Sequence, residues 1–177
     1  MQGPAELTDG VVRLRMLRKS DVAMIVEACS DPETLRFIPQ IPEPYSDEDA
    51  RTFVAQAAEC WRGDEARPMA IADHETGGLV GAIELRLGEE GSIGYWVAPR
   101  VRGRGVATRA LILLARWAVT EGGVERLVLT THPENIASQR VAEKAGFVRE
   151  GVLRSDLRFR EGRRDSILYS LLPSDLD

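Results

Sequence analysis

The sequence predicts an α/β layered domain, α+β in character, with a mixed, mostly antiparallel seven-stranded sheet flanked by four helices. Three observations predict it. Short runs of apolar residues alternate with period two, glycine turns join the central runs, and longer stretches with helical spacing interrupt them. The expected order is β-α-α-β-β-β-α-β-α-β-β, in one domain covering the whole chain.

The elements follow in turn. Val12, Leu14 and Met16 alternate with Arg13 and Arg15, the pattern of a half-buried strand. Ser20 is expected to cap a helix running to about Cys29, with Asp21 in its first turn. The segment from Asp31 to Tyr45 carries four prolines and is read as a loop. Ser46-Asp47-Glu48-Asp49 forms a capping box that opens a second helix to about Trp61. Pro68 to Asp73, Leu79 to Leu87 and Ser92 to Val97 read as strands. Short turns at Glu75–Gly78 and Gly88–Gly91 separate them, which implies an antiparallel meander. Val106, Ala110, Leu114, Trp117 and Ala118 mark a long helix to Thr120, ended by Gly122-Gly123. Val124 to Thr131 is a buried strand. Ile136 to Ala145 is a short helix stopped by Gly146. Phe147 to Leu157 and Asp165 to Leu172 form the last two strands around a turn at Glu161–Arg164.

Composition excludes several function classes. A chain of 177 residues, 44% hydrophobic and 29% charged, suits one globular domain that buries a core without disulfides or metals. A net charge of -5 argues against nucleic acid as the main partner. Cys29 and Cys60 form no CxxC pair, and His74 and His132 no HExxH pattern, so no metal is expected. Met1 to Glu6 lacks the basic and apolar regions of a signal peptide, and no run reaches the roughly 20 apolar residues of a membrane span. The expected setting is the cytoplasm, without a membrane.

The informative segment runs from Arg100 to Thr108, between a strand and the long helix. Gly103 and Gly105 lack Cβ atoms, so the backbone can turn tightly and approach a ligand. The first N–H groups of a helix have no intrahelical partner, and together with the helix dipole they favour an anion. Arg100, Arg102 and Arg104 add positive charge, and Thr108 adds a hydroxyl. The physical reading is a pyrophosphate site. A P-loop would require a GK[ST] ending, which is missing. A dinucleotide fold would require a third glycine, where Thr108 stands, and a βαβ series rather than a meander.

Arg100-x-x-Gly103-x-Gly105 resembles the coenzyme A pyrophosphate motif of the GNAT superfamily of N-acetyltransferases. Ile93 to Pro99 is similar to the strand leading into that motif. Asn135-x-x-Ser138 with Glu143-Lys144-Ala145-Gly146-Phe147 resembles the motif on the following helix. The nearest branch is the RimJ/RimL type, the N-terminal acetyltransferases of ribosomal proteins. The resemblance covers nearly the whole chain. It implies acetyl-coenzyme A as co-substrate, with the backbone of Trp96 and Val97 binding the pantetheine arm. Arg102, Gly103, Arg104, Gly105, Val106, Ala107 and Thr108 would wrap the pyrophosphate. Asn135 would contact the pantetheine, and Arg140 would reach the adenosine end. Homodimers are common among similar proteins, although no interface pattern is visible here.

The implied reaction is attack of a neutral primary amine on a thioester. An α-amine (pKa ~8) or a lysine (~10.4) must first lose a proton. Glu84, mid-strand beside the Ser92–Val97 strand, is the candidate base, and burial is expected to tune it. The alternative for Glu84 is an outward residue paired with Arg86. Many family members place a proton-donating tyrosine four residues before the Gly-Phe pair. Ala142 stands there, and Ser138 is the substitute implied by the RimJ/RimL type. The Val97 N–H is the candidate oxyanion donor. On the acceptor side, Phe37, Ile41, Tyr45 and Trp61 are expected to line an apolar slot, with Glu43, Asp47 and Glu48 attracting the amine. The leading acceptor is a protein or peptide N-terminus. A small-molecule amine, a longer acyl donor and a non-catalytic acyl-CoA-binding domain are the competing readings.

Overall fold

The computed structural model describes residue 4, residues 6–63 and residues 65–176. The described strands form one eight-stranded sheet. They are β1 (Glu6–Thr8), β2 (Val12–Arg15), β3 (Ala66–Asp73), β4 (Leu79–Arg86), β5 (Gly91–Val97), β6 (Leu127–Thr131), β7 (Val148–Phe159) and β8 (Gly162–Leu171). The helices are α1 (Val22–Cys29), α2 (Pro32–Phe37), α3 (Asp47–Cys60), α4 (Val106–Thr120) and α5 (Ile136–Lys144). The spatial strand order is β1-β2-β3-β4-β5-β6-β8-β7. Every neighbouring pair is antiparallel except β5 and β6, which run parallel.

The mixed α/β class is as the sequence predicts, with one strand and one helix more. The additional strand β1 is the first arm of a hairpin whose turn is Asp9-Gly10. Asp9 Oδ1 accepts from the N–H groups of Val11 and Val12, each at 2.9 Å. Gly10 takes a φ of +84°, which suits glycine. The additional helix α2 lies in the segment read as a loop. Asp31 caps it by accepting from Thr34 N–H at 3.0 Å, and Pro32 occupies the first helical position.

Several boundaries also differ, among them the start of β6, at Leu127 rather than Val124. Ser20 is not a cap: a 3-10 turn over Lys19–Asp21 precedes α1. Asp21 is instead buried, accepting both Arg15 guanidinium nitrogens at 2.8 and 2.9 Å and the Arg18 N–H at 2.8 Å. The final hairpin turns at Arg160-Glu161, so β8 begins at Gly162 rather than Asp165.

Helices cover both sheet faces. Leu111, Leu114 and Trp117 of α4 pack with Ile83, Leu85 and Ile93, and Ala142 of α5 and Phe147 join the same cluster. On the opposite face, Val22, Ile25 and Cys29 of α1 meet Ala50 and Val54 of α3 over Ala70 and Leu79. Among the described residues, no helix is long and apolar enough to cross a membrane.

Candidate active site

The site begins where the sheet comes apart. The parallel strands β5 and β6 pair at Gly91 with Leu127 and at Ser92 with Val128, and no further pairing exists among the described residues. Beyond Ser92 the strands diverge, which leaves one edge of β5 open. On its other edge, Ala98 N–H donates to the Val80 carbonyl at 2.8 Å. Antiparallel partners alternate between bonded and non-bonded pairs, so Trp96 also directs its N–H and C=O toward β4. The peptide groups of Tyr95 and Val97 face the gap instead. Of the two residues whose backbones are expected at the gap, Val97 is turned to it and Trp96 away from it. Gly81 sits where β4 presses closest: a Cβ there would lie 2.4 Å from the Trp96 carbonyl oxygen.

The glycine turn lies just past β5. Gly103 and Gly105 have φ of +72° and +79°, and no protein atom comes within 4 Å of a Cβ built on either. Among the described residues, the N–H groups of Gly103, Gly105, Val106, Ala107 and Thr108 have no hydrogen-bond partner. The start of α4 has no side-chain cap and no acidic residue in its first turn. α3 differs, with its Ser46–Asp49 capping box and three carboxylates. The dipole of the 15-residue α4 is therefore uncompensated at its positive end.

The arginines divide their work. Arg102 donates to Asp31 Oδ2 at 2.5 Å and Thr34 Oγ1 at 2.8 Å, tying the turn to the start of α2. Burial opposes ionisation of Asp31, but Arg102 and the Thr34 N–H outweigh it and hold the carboxyl below its usual range. Arg100 donates to the Leu79 carbonyl at 2.9 Å. Arg104 is exposed and has no partner among the described residues. From Gly105 and Thr108 an open cavity of about 390 Å³ runs along α4 to Ile112 and Leu113. Arg140 is exposed on α5.

Across the gap, Asn135 caps α5 and accepts the Ser138 N–H at 3.0 Å. Ser138 Oγ lies 2.9 Å from the Tyr95 hydroxyl, which also donates to the Ser138 carbonyl at 3.4 Å. Burial pushes the Tyr95 phenol up to about 12, against the bond to Ser138, which lowers it. A protonated phenol thus stands behind Ser138, delivered by β5 rather than by the helix position that Ala142 fills. Two residues 43 positions apart give no local signal of such a pair.

Glu84 sits on the other sheet face, because it pairs with Gly94 while Tyr95 pairs with Ile83. Its side chain is 25% exposed and forms an ion pair with Arg86. Gly94 leaves the space beside Glu84 open, since no atom lies within 4 Å of a Cβ there. The Glu84 carboxylate and the Tyr95–Ser138 hydroxyls therefore flank the parted strands from opposite sides.

A second cavity, of about 320 Å³, lies past the end of β6. Phe37, Ile41 and Glu43, three of the residues read from the sequence as a candidate acceptor side, line it. Tyr45 and Trp61 do not: Tyr45 packs against the α1–α3 cluster beside Cys29, and Trp61 donates to the Pro68 carbonyl at 2.7 Å. Asp47 pairs with Arg51 at the start of α3. His132 and Phe159 also line the cavity and were not anticipated. The available signal was His132-Pro133 directly after the apolar run that ends β6.

The family described as the acetyltransferase (GNAT) domain matches residues 12–148. The chain belongs to the GNAT acetyltransferase family. Among GNAT relatives, YdaF of Bacillus subtilis (strain 168), named provisionally as a ribosomal N-acetyltransferase, is 33% identical over 100 residues. That match covers 54% of this chain and 55% of YdaF. The ribosomal-protein-serine acetyltransferase of Escherichia coli (strain K12) is 29% identical over 96 residues, covering 52% and 54%. The chain thus spans about half the length of these curated relatives. The solved structure of Mycobacterium smegmatis RimJ in complex with CoA-disulfide superposes with a TM-score of 0.84 at 26% identity. It covers 98% of this chain and 88% of that one.

Proposed function

We propose that this GNAT chain transfers the acetyl group of acetyl-coenzyme A to a primary amine, with a protein or peptide N-terminus as the acceptor. One observation carries the reading: β5 and β6 part directly beside a turn whose amides are unoccupied. The pyrophosphate accepts from the N–H groups of Gly103, Gly105, Val106, Ala107 and Thr108, with Arg104 adding charge. The pantetheine arm lies along the open edge of β5, bonded by Tyr95 and Val97. Asn135 borders the arm, and Arg140 faces the adenosine end. The names of YdaF and the Escherichia coli relative support a ribosomal-protein acceptor.

The faces of the sheet divide the chemistry. The amine approaches from the Glu84 side, and its proton passes to Glu84 directly or through water. The nitrogen bonds to the thioester carbonyl carbon, whose oxygen gains charge and accepts from Val97 N–H. On collapse the C–S bond breaks, the nitrogen releases its remaining extra proton to water, and the thiolate takes a proton from Ser138; Tyr95 resupplies Ser138 and regains its own proton from water.

The test is thiol release from acetyl-coenzyme A with a panel of peptides and small amines. Release with peptides is expected. Release with small amines alone would replace the acceptor assignment. Coenzyme A binding without release would favour a sensing domain. Gly105→Trp should abolish coenzyme A binding, and Glu84→Gln should lower turnover more than affinity. Wild-type values would remove each assignment.

A further inference from the structure

The cavity past β6 has features that the acetyl-transfer reading does not use. His132 stands between two phenylalanine rings, with centroids 5.8 Å from Phe37 and 5.7 Å from Phe159. Its Nδ1 accepts the Glu134 backbone N–H at 3.1 Å. A backbone N–H can only donate, so the ring proton sits on Nε2. Among the described residues, that Nε2–H has no partner. The site therefore offers one free donor between two apolar faces.

The charges around the cavity are all matched. Three arginines and three glutamates line it. Arg36 pairs with Glu134 at 2.8 Å, Arg160 with Glu43 at 3.4 Å and Arg164 with Glu161 at 3.3 Å. A polyamine or aminoglycoside needs several unmatched carboxylates, and this wall supplies none. A volume of about 320 Å³ is at the small end for ligand pockets, so only the head of a larger acceptor enters.

We propose that His132 reads the acceptor by donating its Nε2–H to the carbonyl oxygen adjoining the amine, so the site selects peptidyl amines over plain alkylamines and polyamines. Phe37 and Phe159 hold the imidazole edge toward the cavity and exclude water around the first acceptor residue. The inference rests on the acetyl-transfer reading and sharpens its acceptor class.

The test compares wild type with His132→Phe, which keeps the ring stack but removes the donor, and His132→Gln, which restores a donor without the ring. Acceptors are tetrapeptide amides differing in their first residue, propylamine and spermidine, and coenzyme A affinity is measured alongside as a control on folding. His132→Phe should raise the peptide KM about tenfold with kcat nearly unchanged. It should leave propylamine turnover and coenzyme A affinity alone, while His132→Gln recovers part of the peptide KM. A peptide KM within twofold of wild type in His132→Phe would overturn the His132 assignment alone, whereas spermidine preferred over every peptide by wild type would overturn the peptide acceptor together with it. No turnover with any acceptor would overturn the acetyl-transfer reading and this one with it.

Discussion

The Tyr95 hydroxyl of β5 and the Ser138 Oγ of α5 lie 2.9 Å apart across the parted strands. The pair joins the two lips of the gap and carries a proton that stays bound throughout the neutral range, because burial pushes the phenol up to about 12. Tyr95→Phe removes the hydroxyl and keeps the ring. The expected result is a kcat lowered by roughly tenfold to a hundredfold, at the low end for a proton-transfer partner, with an unchanged coenzyme A dissociation constant. Equal kcat would leave Ser138 acting alone.

A second prediction concerns Gly81. A Cβ at this position meets the Trp96 carbonyl oxygen at 2.4 Å and Val97 Cα at 3.1 Å, and backbone cannot swing aside as a side chain can. Gly81→Ala should push β4 from β5, costing about 1–3 kcal/mol, comparable with overpacking a core. Thermal unfolding should move down by several degrees. Coenzyme A binding should weaken as well, since the displaced strand carries Val97. An unshifted melting curve would count against the close approach.

The Arg102–Asp31 pair gives a third. Asp31 is held below the usual carboxylate range, so its native pKa is lower than its unfolded one. The linked stability is present above the unfolded value of ~3.9 and is lost as pH falls through the native value. Arg102 is a third exposed, so solvent screening reduces the contribution to about 1 kcal/mol or less. Arg102→Leu should therefore speed hydrogen exchange several-fold at the amides of Leu35 and Ile38, which are bonded to Asp31 and Thr34 carbonyls at 3.0 and 3.1 Å. In wild type the same acceleration should come only as the pH falls below about 4.

The tyrosines supply a fourth. The chain has three, and burial raises all of them: Tyr95 to about 12, with Tyr45 and Tyr169 also shifted upward. Unfolded tyrosines ionise near ~10. The associated stability is complete below that value and declines as pH rises through the native ones. At pH 10 the folded protein should show little phenolate absorbance at 295 nm. Denaturant at the same pH should raise it to about half of full ionisation. Half ionisation without denaturant would refute the shifts.

Much of this architecture was legible because the relevant information is local. The Ser46–Asp49 box, the alternation in Val12–Arg15 and the glycines at 103 and 105 act within a few residues, and each reads directly as structure. The α2 helix carries an equally local signal in Asp31-Pro32, but the surrounding prolines mask it. The hairpin turn Asp9-Gly10 is equally hard to read, because β1 has three residues and little hydrophobic pattern. Other features are not local at all. Arg102 finds Asp31 71 positions away, and the Phe37–His132–Phe159 stack gathers three distant segments. Strand order decides such meetings, and residue type alone does not. The direction of the Trp96 peptide is of the same kind, set by the register with β4.

The seam between β5 and β6 splits the sheet into a five-strand plate and a three-strand plate, clasped at two residue pairs. The turn at Gly103–Thr108 follows the larger plate, whereas His132 and Phe159 ride on the smaller. On the proposed reading, substitutions on the smaller plate would alter which amines are accepted and leave coenzyme A binding alone. The exposed ion pair of Arg36 on α2 with Glu134, just past β6, adds a surface link to the one made by Tyr95 and Ser138.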